Sequence, residues 1–497
     1  MSMAKLFSYL FTALVCCLLA SCAGSKKLYN PAKKYAVAAL QKDYRIFQQL
    51  LEDAHPSVYW YTSKDSMDYY FNYGYQQLTD SMTEPQFRTL LSYVISKINC
   101  GHTVVKYSKA YSRYMNTARL PVFPLSLKFW KDSAVVYSNI NRRDSAITRG
   151  ALVTAIDGVP IQQIRDSLFQ YMATDGYSAN HKYQSLSNIG SFAGWYKNIY
   201  GLKNQWQLQY TDTNGIAKTS TLHLYDVAKD SFNRRRIMPQ SMPARTPARE
   251  QRINATRNLQ IDTVYKTAYL TVTTFANGNK LKRFFKQSFQ QIKQHQIKNL
   301  VIDLRSNGGG NVLHSTALTR YVVNKKFKLA DSLYATRRLS KYERHIQNSW
   351  MAFFFMHAMT KKHKDGHYHF GYYERRSFKP YQKNHYSANT YVLIGGNSFS
   401  ATTLFVNAIK GQKNVTVVGE ETGGGAYGNT AWFIPDATLP VTKIRFRLPR
   451  FRMVMDASKP KDGRGIIPDV TIWPTQQSIK KGVDLKLEYI RQLIYGK

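Results

Sequence analysis

The stretch that decides the fold is residues 300–310, Leu-Val-Ile-Asp-Leu-Arg-Ser-Asn-Gly-Gly-Gly. Its first five residues are almost wholly apolar, as expected for a strand buried on both faces of a parallel sheet. Three glycines follow, and glycine lets a backbone adopt the dihedral angles that expose N–H groups to a ligand. Because no Gly-Lys-Ser/Thr sequence follows, the segment does not match a Walker phosphate loop. Alone, it indicates either a ligand-binding loop or a tight turn.

Strands and helices alternate on both sides of this stretch. The pattern predicts strands at residues 267–275, 391–394 and 415–418, an amphipathic helix at 281–296 and a further helix at 401–409. This alternation is typical of an α/β fold with parallel strands. We place the α/β core at residues 260–478, with a basic, aromatic lid inserted at 331–390.

Two more glycine-containing segments follow predicted strands, at residues 395–403 and 417–425. The first contains Ser398 and Ser400 at a strand-to-helix turn, where backbone N–H groups at the helix start can stabilise an oxyanion. A serine at this place can also be a plain helix N-cap. The backbone N–H groups of Gly309 and Ala401 are the candidate oxyanion donors.

The N-terminal half has a different texture. Residues 33–107 show helical periodicity, with a break at His55-Pro56, and residues 191–259 contain a predicted hairpin and a basic surface segment. Between them, residues 118–190 contain a strand, an Asp157-Gly158 turn and a second strand, which resembles a PDZ domain. A hairpin in any β domain has the same pattern.

The order and spacing of the three glycine segments resemble the tail-specific, or C-terminal-processing, serine peptidase family, over about residues 33–475. The resemblance implies a core similar to the crotonase and Clp protease fold, with Ser400 as the nucleophile. The processing peptidases carry a catalytic Lys where this chain has Gly425, so we expect no Ser–Lys dyad. The tricorn-like branch uses a His instead, and Gly101-His102-Thr103 matches its pattern. By the same resemblance, Asp462 is the expected acid.

The chemistry is consistent with these roles. A serine hydroxyl needs a base to take its proton, and histidine titrates near neutral pH. The sequence therefore predicts a serine peptidase that forms an acyl-enzyme on Ser400 with His102 as base, acting on polypeptides or peptides. An inactive protein of the same fold that binds peptides or polyanions is the alternative, and the oligomeric state is not predicted.

The N-terminus predicts the compartment. Residues 1–21 combine Lys5 with an apolar run too short to span a bilayer, as in a secretory signal peptide. The run ends at Leu19-Ala20-Ser21-Cys22, which resembles the lipobox of bacterial lipoproteins. The resemblance implies a lipidated Cys22 and a tether at residues 22–32. We therefore expect a membrane partner through the lipid, in the bacterial cell envelope, at the outer membrane and facing the periplasm. An ordinary signal with a chance cysteine is the alternative.

Composition narrows the remaining classes. The chain has 497 residues, a net charge of +40, 43% apolar residues and four cysteines, which excludes wholesale disorder and a disulfide scaffold. Its basic residues are spread along the chain, so we expect no nucleic-acid partner. Three lid histidines (His363, His367, His369) could bind a metal, but lysines crowd them, so we expect no metal, and no cofactor is implied. Four lid arginines (Arg337, Arg338, Arg375, Arg376) suggest a preference for acidic substrates.

Overall fold

The computed structural model describes residues 29–141, 144, 146–229 and 248–496. The predicted signal peptide and Cys22 lie outside these residues. Within these ranges, no helix combines the length and the apolarity that crossing a bilayer requires.

The first unit is a block of helices. Its elements are β1 (Lys34–Tyr35), α1 (Val37–Ala54), α2 (Lys64–Gln76), β2 (Met82–Thr83), α3 (Glu84–Ser96), β3 (Val105–Lys106) and α4 (Lys109–Thr117). The predicted break at His55-Pro56 is confirmed, since α1 ends at Ala54. The Thr83 N–H at the start of α3 donates to the Gln86 side chain at 2.9 Å, which fixes where this helix begins.

The second unit is a mixed module built on one sheet. Its elements are β4 (Leu125–Trp130), β5 (Ser133–Asn139), β6 (Leu152–Ile156), β7 (Val159–Pro160), α5 (Ile161–Phe169), α6 (Ala179–Leu186), α7 (Ser191–Tyr200), β8 (Gln205–Thr211) and β9 (Ala217–His223). The strand order is β4-β5-β6-β8-β9, and β7 pairs with β6 across the Asp157-Gly158 turn. The hairpin β8–β9 shares this sheet, and one apolar cluster includes both Phe123 and Leu222. The module therefore extends past the boundary expected at residue 190.

The third unit contains the α/β core. Its elements are α8 (Ala248–Thr256), β10 (Arg257–Asp262), β11 (Thr267–Val272), α9 (Leu281–Gln294), β12 (Asn299–Asp303), α10 (Val312–Val322), β13 (Phe327–Lys328), β14 (Ser332–Ala335), α11 (Ser349–Met359), β15 (Lys361–Lys362), β16 (Tyr368–His369), α12 (Gly371–Arg375), β17 (Ser377–Phe378), β18 (Asn389–Ile394), α13 (Ala401–Ile409), β19 (Val415–Gly419), β20 (Gly428–Asn429), β21 (Asp436–Thr438), β22 (Arg445–Arg447), β23 (Arg452–Val454), β24 (Val470–Thr471), α14 (Gln476–Lys481) and α15 (Leu485–Tyr495). A short 3₁₀ helix covers Glu343–His345.

The central sheet has the order β10-β11-β12-β18-β19-β24. Strands β11 to β24 are parallel, and β10 is antiparallel at the edge. The predicted α/β class, strands and helices of this core are confirmed. Because β12, β18 and β19 are parallel neighbours, the three glycine segments that follow them meet at one edge of the sheet.

The expected lid is a packed layer rather than a loose cover. Its strands β14, β15 and β16 join β20 and β23 in a five-stranded antiparallel sheet. Leu333 and Phe370 from the insertion pack with Phe451 from the C-terminal part of the chain. This long-range pairing fixes the insertion against the rest of the core.

The helical block is also continuous with the C-terminal half. Phe446 packs in the same cluster as Leu40 and Phe47. Strand β3 pairs antiparallel with β22, which lies far along the chain. This pairing holds the loop before β3, which contains His102, against the α/β core.

Candidate active site

Ser400 stands at the turn between β18 and α13 with φ +58° and ψ −120°. Such a backbone costs a non-glycine residue about 1–3 kcal/mol, so the surroundings must enforce it. The neighbouring hydroxyls of Ser398, Thr402 and Thr403 all donate to backbone carbonyls. The Ser400 hydroxyl makes no hydrogen bond within the described part of the chain and does not cap α13. Ser400 thus stands at the N-cap position without a capping hydrogen bond from its side chain, and its hydroxyl is free at the helix start.

The three glycine segments hold this turn in place. The Ser398 hydroxyl donates to the Leu304 carbonyl at 2.8 Å, directly after β12. The Phe399 N–H donates to the Asn307 carbonyl at 3.1 Å, and the Gly423 N–H donates to the Ser398 carbonyl at 3.1 Å. The Ser400 backbone is thus fixed from both neighbouring strands.

Gly309 lies directly against the serine. A Cβ at this position would be 2.7 Å from the Ser400 Cβ and 2.9 Å from the Ala401 nitrogen, and its φ is +93°. The Gly309 N–H donates to the Asn307 side chain at 2.9 Å. This bond takes that N–H away from the expected oxyanion role, so Gly309 provides space rather than a donor. The Ala401 N–H has no acceptor among the described residues and remains the predicted donor.

His102 comes to the same place from the helical block. It lies in the turn between α3 and β3, and its side chain is 95% buried, with 5% relative exposure. Its ring packs on the Phe399 ring at a centroid distance of 4.7 Å. Neither ring nitrogen has a hydrogen-bond partner among the described residues. His102 and Ser400 line one cleft of about 1070 Å³.

The carboxylate beside His102 is Asp175. Its Oδ1 lies 3.7 Å from the His102 Nδ1 and accepts the Gly101 N–H at 2.8 Å. Asp175 has 2% exposure, and its Oδ2 has no partner among the described residues. Asp462, the acid expected from the sequence, is exposed, and its Oδ1 accepts the Arg464 N–H at 2.9 Å. The carboxylate that the structure places beside His102 is therefore Asp175 and not Asp462.

The loop that carries Asp175 contacts both the turn before His102 and the segment that contains Asp462. The Gly176 N–H donates to the Asn99 carbonyl at 2.9 Å, which fastens the loop to the turn before His102. The Tyr177 N–H donates to the Gly463 carbonyl at 2.8 Å. The 462–463 segment thus supports the acid through its backbone. The sequence signal for Asp175 is only an Asp-Gly turn, which is too common to single it out.

The buried charges shift each other's titration. Burial lowers the pKa of His102, but Asp175 and Cys100 outweigh burial and raise this pKa to about 9. Burial raises the pKa of Cys100, but the neighbouring His102 and His55 side chains outweigh burial and lower this pKa to about 6. Burial lowers the pKa of His181, whose ring also stacks on Phe399. His102 is thus held in an anionic environment that stabilises its imidazolium form.

The charged lining of the cleft comes from the β3 and β21–β22 region. Lys106 is ion-paired with Asp436 at 2.6 Å, and position 425 is a glycine. The geometry therefore offers Ser400 a histidine rather than a lysine. Arg447 also lines the cleft, is exposed, and makes no ion pair within the described ranges.

Two of the four lid arginines are engaged away from the Ser400 cleft. Arg337 is ion-paired with Asp53 at 3.0 Å, and Arg338 donates to the Thr360 carbonyl at 2.7 Å. Both line a second cleft, of about 830 Å³, that does not contain Ser400. The insertion contributes Gln347 and Asn348 to the Ser400 cleft.

One cluster could hold a metal ion. Donor atoms of Cys100, His102 and Asp175 all lie within 4.8 Å of one another, the one such group among the described residues. The histidines of the insertion are arranged differently. Both ring nitrogens of His369 are bonded to carboxylates, those of Glu374 at 2.7 Å and Asp365 at 2.8 Å.

The sequence around this site matches a known peptidase family. The profile of peptidase family S41 matches residues 266–472, which run from β11 to β24 and include Ser400. Residues 266–472 are a peptidase family S41 domain. This family consists of serine-type peptidases, so the S41 domain of this chain is that of a hydrolase. No curated protein matches the chain.

Two solved structures of CPAF share this fold. Mature CPAF complexed with lactacystin is 15% identical, covers 93% of this chain and 99% of its own, and has a TM-score of 0.63. A second structure, of mature CPAF, is 14% identical, covers 93% of this chain and 98% of its own, and has a TM-score of 0.62. The photosystem II D1 C-terminal processing protease is 12% identical, covers 88% and 93%, and reaches a TM-score of 0.37. The likeness to CPAF extends the shared fold over nearly the whole chain.

Proposed function

We propose that this S41 protein hydrolyses peptide bonds through an acyl-enzyme on Ser400, with His102 as general base and Asp175 as the group that orients it. One observation carries the proposal. A strained turn presents an unbonded Ser400 hydroxyl to the same cleft as a buried histidine that lies next to a buried carboxylate.

The steps follow from these positions. The Ser400 oxygen attacks the scissile carbonyl carbon while His102 takes the hydroxyl proton, and the carbonyl oxygen becomes an oxyanion that the Ala401 N–H stabilises. The imidazolium then gives its proton to the leaving amine as the C–N bond breaks. A water molecule attacks the acyl-enzyme by the same route and releases the carboxylic acid and Ser400. Asp175 stabilises the imidazolium that forms in each half.

For this chemistry, the Ser400 hydroxyl and the His102 ring have to form a hydrogen bond. The Ser400 hydroxyl and the His102 ring are not hydrogen-bonded to each other in the described structure. Rotation of the Ser400 side chain about its Cα–Cβ bond moves the hydroxyl without changing the held backbone. Catalytic hydrogen bonds are commonly long before the substrate is bound.

The proposed substrates are polypeptides. The cleft is open and has a volume of about 1070 Å³, and its unpaired cation, Arg447, suits an acidic side chain or a terminal carboxylate. The β4–β9 module is the proposed second contact for substrate C-termini. For location, we propose the cell envelope, on the strength of the signal-like residues 1–21 and the lipobox-like Cys22.

The decisive experiment compares Ser400→Ala with Ser306→Ala, because Ser306 lines the same cleft and is exposed. A chain beginning at Ala23 is incubated with an unfolded protein and a peptide pool, and the products are read by mass spectrometry. We expect cleavage and labelling by a fluorophosphonate in the wild type and in Ser306→Ala, and neither in Ser400→Ala.

Two outcomes would overturn the proposal. Equal cleavage by Ser400→Ala would assign the activity to another group. An intact pool with every variant, together with peptide binding measured by calorimetry, would favour the inactive peptide binder of the same fold.

A further inference from the structure

Helix α11 presents an unusual surface. Five of its large apolar side chains are exposed, with Trp350 at 67% and Phe354 at 65%, and the others are Met351, Phe353 and Met359. The helix contains no charged residue apart from the titratable His357. Large apolar patches of this kind usually mark an interaction site.

The exposure is not a result of loose packing. Ala352 and Met356 are fully buried under α11, and the Phe355 ring stacks on Phe433 at 5.6 Å. The Asn348 residue before the helix lines the Ser400 cleft. The helix is therefore fixed to the core at the rim of the cleft, with its apolar face outward.

Free cations adjoin this face. The hairpin β15–β16 follows α11 directly, and its lysines Lys361, Lys362 and Lys364 are exposed. None of the three makes an ion pair within the described ranges. Its one acidic residue, Asp365, is bonded to His369 at 2.8 Å. Apolar and aromatic residues beside free lysines are the composition of a surface that enters an anionic lipid interface.

A second copy of the chain suits this surface less well. Helix α11 has 11 residues and is about 16 Å long, so one exposed face offers only a few hundred Å². A stable dimer buries about 800 Å² on each partner. Two chains of net charge +40 would also bring like charges together at the three lysines.

We propose that α11 and the β15–β16 hairpin dock the protein on an anionic lipid surface, with Trp350 and Phe354 in the interface and the lysines on the headgroups. The start of the described chain lies nearby. Tyr29 packs on Tyr111 in α4, and Lys109 of α4 lines a pocket together with Gln347, two residues before α11 begins. If the proposed lipid on Cys22 is present, anchor and helix would approach the same bilayer.

The test is flotation of a chain beginning at Ala23, which keeps every described element and carries no lipid. The vesicles are phosphatidylcholine alone or phosphatidylcholine mixed with phosphatidylglycerol. We expect binding to the mixed vesicles, weakened by salt. Trp350→Ser with Phe354→Ser should lower partitioning by about a hundredfold. Replacing the three lysines by Gln should cost about fivefold each.

The matched control is Ile189→Ser with Val264→Ser, since these residues are 77% and 83% exposed in other parts of the surface. It should bind as the wild type does. Peptide cleavage in solution should be the same for all variants, so a failure of flotation is separate from a failure of the peptidase. Wild type that binds neither vesicle, or equal loss in the control, would overturn the proposal. So would a dimer in sedimentation velocity that Trp350→Ser with Phe354→Ser dissociates while vesicle binding is unchanged.

Discussion

Replacing Asp175 by Asn separates the structural assignment of the acid from the sequence assignment. The ordinary histidine pKa of 6.5 rises to about 9 at His102, a shift worth about 3 kcal/mol in favour of the imidazolium. Burial opposes this shift, so the neighbouring anionic groups supply all of it, and Asp175 is first among them. In the proposed mechanism, the same carboxylate stabilises the imidazolium that forms when Ser400 attacks.

Losing about 3 kcal/mol of that stabilisation slows acylation by at least about a hundredfold. Without the carboxylate, the His102 ring can also adopt the tautomer that cannot accept the serine proton. In serine peptidases, the corresponding change lowers kcat by about 10⁴. We therefore expect Asp175→Asn to lower kcat/KM by about 10² to 10⁴ on the alkaline plateau, where His102 is neutral in both proteins. The matched control, Asp462→Asn, changes an exposed carboxylate and should stay within about twofold.

The assay is the rate of cleavage of a fluorogenic peptide across pH, with thermal unfolding as the check on folding. Asn keeps an acceptor for the Gly101 N–H, so a folded Asp175→Asn protein is expected. A fully active Asp175→Asn, or a collapse of activity in Asp462→Asn alone, would refute the reasoning.

Three further predictions concern the same cleft. His102 must be neutral to act as the base, so wild-type kcat/KM should rise as pH increases through about 9. Cys100→Ala removes a group that raises the pKa of His102, so this rise should occur at lower pH in the variant. An unchanged pH profile would contradict the effect of Cys100 on His102. Gly309→Ala should abolish cleavage and lower Tm, because its Cβ would lie 2.7 Å from the serine side chain, whereas Gly308→Ala, with open space around it, should match the wild type in both measurements. Arg447→Gln should lower kcat/KM for acidic peptides by about three- to fivefold and leave neutral peptides unchanged, as steady-state kinetics on paired substrates would show.

The α/β core was predictable because its signal is local. Buried parallel strands are continuous apolar runs, and the strands expected at 391–394 and 415–418 lie within the observed β18 and β19. Helix α2 lies within the predicted helical block, but its bounds were not predicted, because exposed tyrosines, Tyr69 among them, interrupt the apolar period on its surface. The five-stranded sheet that contains β14 and β23 was not predictable, because the pairing of these two strands joins segments that are distant in sequence.

The residues of the site also differ in whether a local sequence pattern could predict them. Ser400 and His102, which the structure brings to one cleft, could be singled out from the sequence because each lies in a short motif of fixed spacing. Asp175 has no motif, and only the folded loop brings it to His102 through the Gly176 N–H. The Gly309 N–H could not be excluded as a donor from sequence, because its bond to the Asn307 side chain depends on the conformation of the loop.

The pairing of β3 with β22 has a consequence for the time at which the protein can act. The strand after His102 is completed only by Arg445–Arg447, which the ribosome makes more than three hundred residues later. At about 5–20 residues per second, roughly 20–70 s separate the synthesis of the two strands. Until then β3 lacks its partner strand, so the loop that carries His102 is not yet held at the Ser400 cleft, and the proposed peptidase should be inactive as an unfinished chain.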